Sequence, residues 1–396
     1  MHCRDDFPFL KEGSCIYLDS AATAQKPESV IETMRQFYSE EYGTVHRAIY
    51  SLASKATARY ARARLTVKEF LNAASENEIV FTKGTTEAIN LVASSFGSLL
   101  EEKDEIIITE MEHHANIVPW QLLAERKRLI LKVVPIDEEG QLDLQAYEAL
   151  LTPRTKLVAV CHISNVLGTI NPVEKIIALA HLRGAKVLVD GAQSAPHMSI
   201  DVQAMDADFF VFSGHKAFGP TGIGVLYGKY ALLEKMPPYQ GGGDMIATVT
   251  FEKTTYQNPP LRFEAGTPMI AQVIGLAAAL DYITALGREA INAWTHSLLE
   301  YATAQLQEIP GLKILGTAPK KGPMITFIIE GIHSLDLGTL LDAKGIAIRT
   351  GHLCAQPVLQ KFGVSSAARI SFAPYNTIAE IDAFLEALSS SLLLLK

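Results

Sequence analysis

A lysine and an aspartate that each follow a short strand-like run are the residues best placed for chemistry in this chain. Lys216 comes four residues after the apolar run 209–212 in FFVFSGHKAFGPTGIG, and Asp190 directly follows the run 186–189. Short apolar runs bounded by glycine-containing turns are typical of buried strands. An amine at the end of a buried strand is costly to charge, so its pKa falls and it becomes nucleophilic toward an aldehyde.

This pairing of an amine with a carboxylate suits a pyridoxal phosphate site. In such a site a lysine holds the cofactor as a Schiff base, and an aspartate pairs with the pyridinium nitrogen. Lys216 and Asp190 are 26 residues apart (216 − 190). A lone lysine after a strand is by default solvated, but the second strand that ends in an acid favours the cofactor interpretation.

Other polar residues also follow strand-like runs. Thr85 lies at a glycine-containing turn before a predicted helix, where free backbone N–H groups favour a phosphate, although an ordinary capping box fits the same residues. Strand-like runs also precede His113, Asn165 and Ser213. Because the strands alternate with helical stretches, we expect a mostly parallel sheet with its ligand at the carboxyl ends of the strands.

Two adjacent histidines, His113 and His114, raise the question of a metal site. Neighbours in sequence point in different directions, and no third ligand occurs at a suitable spacing. The four cysteines also lack any CxxC spacing. We therefore predict no metal site, and we expect an imidazole here to stack on a flat cofactor ring.

The segment RTGHLCAQP carries the second reactive group. Gly351 interrupts a strand and leaves Cys354 on a polar loop, where Arg349 or His352 would favour its thiolate. A lone cysteine is more often buried and structural, but a polar loop that contains glycine favours a nucleophile. Arg369 lies in the strand-like ARISF, where its guanidinium could bind a carboxylate through two parallel hydrogen bonds.

Length and composition restrict the class of protein. The 396 residues carry a net charge of −8, with 48% hydrophobic and 20% charged residues. This charge argues against sequence-independent nucleic-acid binding and against an anionic membrane surface. No run of about 18 apolar residues predicts a transmembrane helix, and the first residues are acidic where a signal peptide needs an apolar core. We expect a protein of the reducing cytoplasm.

Periodicity predicts several long helices and a change of domain after the main sheet. Arg59, Arg62 and Arg64 on one of these helices are expected to form a solvated face. Proline and glycine clusters after Tyr227 mark the approach to a second domain. The predicted helices include 27–42, 52–71, 88–96, 270–286 and 289–307, with a final helix from Ile378.

Ten segments, in order along nearly the whole chain, resemble a group II, SufS-type cysteine desulfurase of the class V aminotransferase family. The short loop of Cys354 is similar to group II, whereas group I enzymes carry their cysteine on a longer insert. Leu353 stands where a second histidine is common, and ARISF replaces the more usual Arg-Ala-Ser. The segments are YLDSAATAQKP, TVHRAIYSLASKAT, KGTTEAINLV, EMEHHANIVPWQ, ISNVLGT, DGAQSAPH, FSGHKAFGPTGIGVLY, GGGDMI, RFEAGTP and RTGHLCAQP.

The resemblance implies the α/β fold of type I pyridoxal phosphate-dependent transferases. This fold has a large domain with a mostly parallel sheet of the seven-stranded type and a smaller C-terminal α+β domain. We expect residues 1–20 to pack with the small domain, residues 21–260 to form the large cofactor-binding domain, and residues 261–396 to form the small one. The resemblance also implies a homodimer.

The resemblance implies a role for each candidate residue. Lys216, Cys354 and His113 are the catalytic residues, and Asn165 and Arg369 bind the substrate carboxylate. Lys216 is the Schiff-base lysine, and Cys354 is the nucleophile. The residues expected to hold the cofactor are Lys216, Asp190 at the pyridinium nitrogen, Gln193 at the phenolic oxygen, His113 on the ring, Thr85, Ser213 and His215 at the phosphate, and Thr267 reaching the phosphate from the other subunit.

The implied reaction converts L-cysteine to L-alanine and leaves a persulfide on Cys354. The persulfide would pass to an acceptor protein of the SufE or SufU kind and supply iron–sulfur cluster assembly. A selenocysteine lyase or an aminotransferase of the same family is the alternative. Two alternatives from other classes are weaker. A cofactor-free hydrolase with Cys354 and His352 would lack an orienting acid. A nucleotide-binding module would need a GxGxxG phosphate loop, and GPTGIG has the wrong glycine order.

Overall fold

The computed structural model of the protein describes residues 1–11, 15–46 and 48–395, so Arg47 of the segment TVHRAIY lies outside the described residues. Its strands are β1 Ile16–Tyr17, β2 Ile79–Thr82, β3 Glu105–Thr109, β4 Ile130–Val134, β5 Thr155–Cys161, β6 Lys186–Asp190, β7 Phe209–Ser213, β8 Gly224–Gly228, β9 Ile246–Val249, β10 Thr254–Tyr256, β11 Leu312–Leu315, β12 Met324–Ile329, β13 Ile346–Ala347, β14 Arg349–Gly351 and β15 Ala367–Ser371.

Helices connect most of these strands and cover the sheets. They are α1 Pro8–Lys11, α2 Glu28–Gln36, α3 Ser51–Leu71, α4 Thr85–Ser95, α5 Val118–Lys127, α6 Leu144–Leu150, α7 Val173–His181, α8 Tyr230–Lys235, α9 Ile270–Leu286, α10 Arg288–Gln307, α11 Ser334–Asp342, α12 Gln356–Lys361 and α13 Ile378–Leu395.

Within the described residues, the main sheet has seven strands in the order β2-β8-β7-β6-β5-β3-β4. The neighbours from β7 to β4 are parallel, whereas β8 is antiparallel to both β7 and β2. The prediction of a mostly parallel sheet of the seven-stranded type is confirmed. Because β5, β6 and β7 are parallel neighbours, the residues that follow them meet at one edge of the sheet.

Alternate side chains of β7 pack on opposite faces of this sheet. Phe210 and Phe212 belong to the apolar cluster on one face, and Phe209 and Val211 belong to the cluster on the other. All four side chains are fully buried. Burial on both faces explains why the strand is an uninterrupted apolar run, and it gives the segment that follows β7 a rigid support.

The C-terminal part contains an antiparallel sheet in the order β11-β12-β15-β14. Ile325, Phe327 and Ile370 from this sheet pack with Phe384 of α13 in an apolar cluster of their own. The short strand β1 pairs in parallel with β13, which ties the N-terminal segment to this part of the chain. The α+β character of this part is as predicted, and the domain bounds at residues 20 and 260 stay predictions.

Helices α9 and α10 connect the two parts of the molecule. Leu276, Leu280 and Ile283 of α9 are buried in the cluster on one face of the main sheet. No single helix in the described ranges is long and apolar enough to cross a membrane. The two helices meet that criterion only when taken together, across a bend of 76°.

Two predicted helices end or begin elsewhere in the structure. The helix predicted for residues 27–42 is α-helical over Glu28–Gln36 and continues as a π-helical segment over Phe37–Glu41. The helix predicted from Ala88 begins three residues earlier, at Thr85, directly after Gly84. This earlier start places the backbone N–H of Thr85 at the helix N-terminus.

The prediction of a solvated face for the arginines of α3 is wrong for Arg64. Its side chain is only 8% exposed and bonds both carboxylate oxygens of Glu264, each at 2.8 Å. Glu264 also accepts the backbone N–H of Phe81 at 2.8 Å. The ion pair therefore ties the segment after β10 to α3 and β2. Helical spacing alone could not reveal it, because the two partners are 200 residues apart.

Glu264→Gln should lower the free energy of unfolding by about 3 to 5 kcal/mol, because it leaves the charge of Arg64 buried without a counter-ion. Chemical denaturation measures the loss. Glu32→Gln is the matched control, since Glu32 and Arg35 form an exposed pair three residues apart on α2, and exposed ion pairs contribute little to stability. Equal losses in the two variants would contradict the prediction.

Candidate active site

A cavity of about 310 Å³ lies at the carboxyl ends of the central strands. It brings together ten of the eleven residues that the sequence singles out as catalytic, cofactor-binding or substrate-binding. These ten are Thr85, His113, Asn165, Asp190, Gln193, Ser213, His215, Lys216, Cys354 and Arg369.

Lys216 and Asp190 reach the cavity from neighbouring parallel strands. Asp190 ends β6, where it is paired with Val211 of β7, and Lys216 lies in the single turn after β7. Burial lowers the pKa of the Lys216 amine to about 8, although the nearby Asp190 carboxylate acts in the opposite direction. Burial likewise raises the pKa of the Asp190 carboxyl. A protonated ring nitrogen beside Asp190 would offset that cost.

The N-terminus of α4 forms one corner of the cavity. The backbone N–H of Thr85 donates to the Ser213 hydroxyl at 2.8 Å, and the two hydroxyl oxygens are also 2.8 Å apart. A Cβ added to Gly224 would lie 2.4 Å from the Cα of Gly84, so glycine is required for the turn before α4 to pack against β8. Hydroxyl and N–H donors at a helix N-terminus can hold a phosphate.

His113 and Gln193 line the walls of the cavity between these groups. The Nδ1 of His113 accepts the backbone N–H of Ala115 at 3.0 Å. Burial, helped by the charge of Lys216, lowers the pKa of His113 to about 3, so its imidazole is neutral. A neutral flat ring suits stacking on a cofactor ring. The amide of Gln193 donates to the carbonyl of Ala21 at 2.8 Å.

Arg369 lies at the opposite side of the cavity in β15 and is almost completely buried. Its guanidinium donates to the backbone carbonyl of Asn165 at 2.7 Å and to Asp19 at 3.1 Å, while its Nε lacks a hydrogen-bond partner among the described residues. The Asn165 side-chain amide donates to the carbonyl of Leu353 at 2.8 Å. Asn165 therefore links Arg369 to the cysteine loop.

The cysteine loop, residues 352–355, has a constrained backbone. Leu353 and Cys354 both adopt the left-handed conformation, each with φ of 54°, which is unfavourable for residues other than glycine. The backbone N–H of His114 donates to the carbonyl of Cys354 at 2.8 Å. Leu353 is buried in an apolar cluster that includes Cys161, so it serves as an apolar anchor where a second histidine is common.

Thr267 is the one candidate residue that the fold does not bring to this cavity. It is exposed and lines a smaller cavity of about 100 Å³ that also contains Tyr60 and Tyr239. Its predicted role from the other subunit stays a prediction.

Two acids of the site were missed by the sequence interpretation. Asp19 bonds Arg369, and it directly follows the run IYL, which is the same signal that identified Asp190. Glu112 is completely buried and accepts hydrogen bonds from Thr109, Asn116 and the backbone N–H of Cys161. Burial raises the pKa of Glu112 to about 7. No local pattern distinguishes it from a surface acid in a loop.

Comparisons with known proteins identify the family of the chain. The family model of aminotransferase class-V matches residues 16–384. A protein named probable cysteine desulfurase from Mycolicibacterium paratuberculosis is 54% identical over 97% of this chain, and a cysteine desulfurase from Dickeya dadantii is 53% identical over 96%. The chain spans 57% of the length of the first relative and 93% of the second. A Synechococcus elongatus cysteine desulfurase is also 54% identical over 96% of the chain, which spans 61% of it.

Solved structures show the same arrangement of the whole chain. The cysteine desulfurase CsdA from Escherichia coli superposes with a TM-score of 0.93 at 44% identity, covering 99% of this chain and 98% of that one. A cysteine desulfurase from Thermococcus onnurineus gives a TM-score of 0.94 at 39% identity, covering 98% and 96%. The chain therefore belongs to the aminotransferase class-V family.

Proposed function

We propose that this chain is a cysteine desulfurase, which takes the sulfur of L-cysteine as a persulfide on Cys354 and releases L-alanine. One observation carries the proposal: the amine of Lys216 and the thiol of Cys354, both on half-buried residues, line the same cavity. The amine suits a carbonyl cofactor, and the thiol suits attack on sulfur. The relatives named cysteine desulfurases, which match nearly the whole chain, support the same activity.

Pyridoxal phosphate, which cysteine desulfurases of this family use, fits the donors of the cavity. When bound, it draws electrons from the α-carbon of the substrate. Lys216 would hold it covalently, Asp190 would face its ring nitrogen, and Thr85 with Ser213 would donate to its phosphate at the N-terminus of α4. His113 would lie against its ring.

Arg369 is suited to bind the α-carboxylate of the substrate. Its guanidinium is buried, so an ion pair there is little screened by water. The Nε that lacks a partner offers a free donor to a carboxylate, while Asn165 and Asp19 hold the other two nitrogens in place. A carboxylate fixed in this way presents the α-carbon of the amino acid toward Lys216. The amine of Lys216, with its lowered pKa, can then take the α-proton.

The sulfur step belongs to Cys354. Its thiolate attacks the sulfur of the substrate, so an S–S bond forms as the bond between that sulfur and the β-carbon breaks. The electron pair of the broken bond passes to the substrate carbon, which gains a proton and leaves as alanine. No external oxidant or reductant is needed, because the oxidation of sulfur in the persulfide balances the reduction of the β-carbon to a methyl group.

The short cysteine loop supports assignment to group II, the SufS type. Residues 352–355 alone connect β14 to α12, which leaves no room for a long mobile insert. A sulfur acceptor of the SufE or SufU kind, a role in iron–sulfur cluster assembly and a cytoplasmic location belong to the same proposal. They rest on the sequence resemblance, and the location rests also on the four free cysteines, which suit a reducing compartment.

Incubation of the holoenzyme with L-cysteine and a thiol reductant tests the proposal. Equal amounts of alanine and sulfide should appear, and mass spectrometry without reductant should find the additional sulfur on Cys354. Alanine formed only from L-selenocysteine would indicate a selenocysteine lyase instead. Transfer of the amino group to a keto acid would indicate an aminotransferase.

The proposal includes a homodimer in which Thr267 completes the partner's site. Thr267 is exposed and away from its own cavity, and Ile49 and Phe251 are fully exposed apolar side chains of the kind that interfaces cover. Thr267→Val should weaken cofactor binding about 10- to 150-fold, since a hydrogen bond to a charged group contributes about 1.5 to 3 kcal/mol. Equilibrium dialysis of the cofactor measures this, with the exposed Thr317→Val as control.

A mixed-subunit experiment separates a partner's threonine from a subunit's own. Subunits with Thr267→Val should be mixed with subunits with Lys216→Ala. If Thr267 serves the partner, the mixed dimer contains one site with both Lys216 and an intact threonine. At a pyridoxal phosphate concentration too low to load Thr267→Val alone, activity should therefore rise above that of either variant. Sedimentation that shows an active monomer would contradict the proposal.

A further inference from the structure

Three metal-ligating side chains meet at the edge of the active-site cavity. They are His114, His352 and Cys354, and one ligand atom from each lies within 4.8 Å of the other two. The two imidazole rings are 5.6 Å apart between centroids and inclined by 35°. The sequence interpretation found no third ligand near His114 because the other two residues are more than 230 positions away (352 − 114 = 238).

The backbone holds this cluster in place. His114 begins the single turn that follows β3, whereas His352 and Cys354 follow β14 in the C-terminal part. The backbone N–H of His114 donates to the carbonyl of Cys354 at 2.8 Å, which joins the two segments directly. Cys354 itself has the left-handed conformation, with φ of 54°. The three side chains are therefore neighbours because of the fold itself and not because of a chance side-chain rotation.

The ligand set and its exposure fit one class of cation. Two imidazoles and one thiolate are ligands of Zn²⁺ and of the similar but softer Cd²⁺, and sites with three protein ligands leave a fourth position open. His352 is exposed, and the other two residues are half-buried, so a hydrated cation can reach them.

Metal binding requires a small rearrangement of the cluster. In tetrahedral zinc sites neighbouring ligand atoms are about 3.3 to 3.8 Å apart, so the side chains must close by about 1 Å. The Nε2 of His114 accepts the N–H of Gln356 at 3.0 Å, and the Nδ1 of His352 accepts the N–H of Cys354 at 3.1 Å. A neutral imidazole has one acceptor nitrogen, so each ring exchanges one hydrogen bond for one coordination bond. Coordination by three ligands outweighs two such hydrogen bonds.

We propose that His114, His352 and Cys354 form a binding site for a thiophilic divalent cation of the Zn²⁺ or Cd²⁺ type. The thiol of Cys354 loses its proton to solvent as the bond between sulfur and metal forms, and no electrons are transferred. A bound cation occupies the lone pair with which Cys354 attacks sulfur. It therefore stops sulfur transfer, an effect that rests on the proposed desulfurase function, whereas the binding itself does not.

Titration of the holoenzyme with CdCl₂ tests the site through the ultraviolet absorption of a cadmium–thiolate bond. One equivalent should bind, EDTA should reverse the change, and Cys354→Ser should remove it. His114→Gln and His352→Gln should each weaken binding at least about tenfold, because each removes one of three ligands. His333→Gln is the matched control, since His333 is exposed and its Nδ1 also accepts a backbone N–H. This variant should bind as the unmodified protein does.

Two results would overturn the proposal. Unchanged affinity in both histidine variants would show that the thiol binds cadmium alone, and a signal that persists in Cys354→Ser would place the cation on another cysteine. Because the titration needs no turnover, a failure of the desulfurase function leaves its result intact. With L-cysteine as substrate, the rate of each variant in the presence of Zn²⁺ is expressed as a fraction of its own uninhibited rate. On this measure Zn²⁺ should inhibit the His333→Gln control at a lower concentration than it inhibits His114→Gln or His352→Gln.

Discussion

Replacement of Lys216 by alanine should abolish covalent attachment of pyridoxal phosphate and lower the turnover of L-cysteine by at least about 10²- to 10⁴-fold. This range is the contribution of a positioned general base alone. Lys216 has no substitute within the cavity, because it is the one lysine among the lining residues. Loss of the amine therefore removes both the covalent link and the proton acceptor.

Reduction of the holoenzyme with borohydride, followed by peptide mapping, locates the cofactor. The pyridoxyl group should be found on Lys216. Lys321 provides an internal control, because burial also lowers the pKa of its amine to about 8 but it lines a different cavity. A label on Lys321 would mean that a reactive amine alone decides where the cofactor attaches. It would contradict the assignment of the cofactor site to the cavity at the carboxyl ends of the strands.

The pH dependence of cofactor loading gives a second measurement on the same residue. Burial shifts the pKa of Lys216 down from its usual 10.5 to about 8. The uncharged amine is the nucleophile, so the rate at which the apoprotein takes up pyridoxal phosphate should rise as the pH passes through about 8 and then level off. A rate that continues to rise beyond pH 10 would mean that the amine is not buried as the structure has it.

Replacement of Cys354 by alanine should remove persulfide formation and lower sulfide release from L-cysteine by about 10³-fold or more, as expected for the loss of a nucleophile. The same variant should still bind pyridoxal phosphate, and its spectrum should still change when L-cysteine is added. The reason is that the residues expected to hold the cofactor and the thiol lie in different parts of the fold. Lys216 follows β7 and Asp190 ends β6, whereas Cys354 lies on a loop after β14 in the C-terminal part.

Cys161 is the thiol that must be distinguished from Cys354, because it lines the same cavity. Burial raises the pKa of Cys161, which disfavours its thiolate. Mass spectrometry of the unmodified protein should therefore find the persulfide on Cys354 and none on Cys161. Cys15→Ala is a suitable control for general effects of removing a thiol. Full sulfide release by Cys354→Ala would refute the persulfide mechanism and favour a lyase.

The sheet and most of the cavity could be predicted because each signal is local. A strand that is buried on both faces is an uninterrupted apolar run, and the polar residue that ends it lies where ligands bind. Asp190, Asn165 and Ser213 were found in this way. Asp19 carries the same signal, and it was missed only because its strand is short and belongs to no large sheet.

Interactions between distant residues could not be predicted in this way. Arg64 has the helical spacing of a solvated residue, and its burial depends on Glu264, which lies 200 residues later. The joining of His114 to Cys354 likewise depends on how the C-terminal part packs against the main sheet. In each case the missing information is a tertiary contact and not a local preference of the backbone.

The pairing of β1 with β13 has a consequence for the synthesis of the protein. Ile16 lies beside Ile346, which the ribosome adds 330 residues later (346 − 16), or roughly 15 to 65 s at usual rates of elongation. Throughout that time the apolar residues near the start of the nascent chain have no strand to join. Asp19 lacks its ion-pair partner Arg369 for longer still. A chain that is stalled or cut before Ile346 can therefore form the main sheet and yet leave Ile16 and Tyr17 without a partner strand.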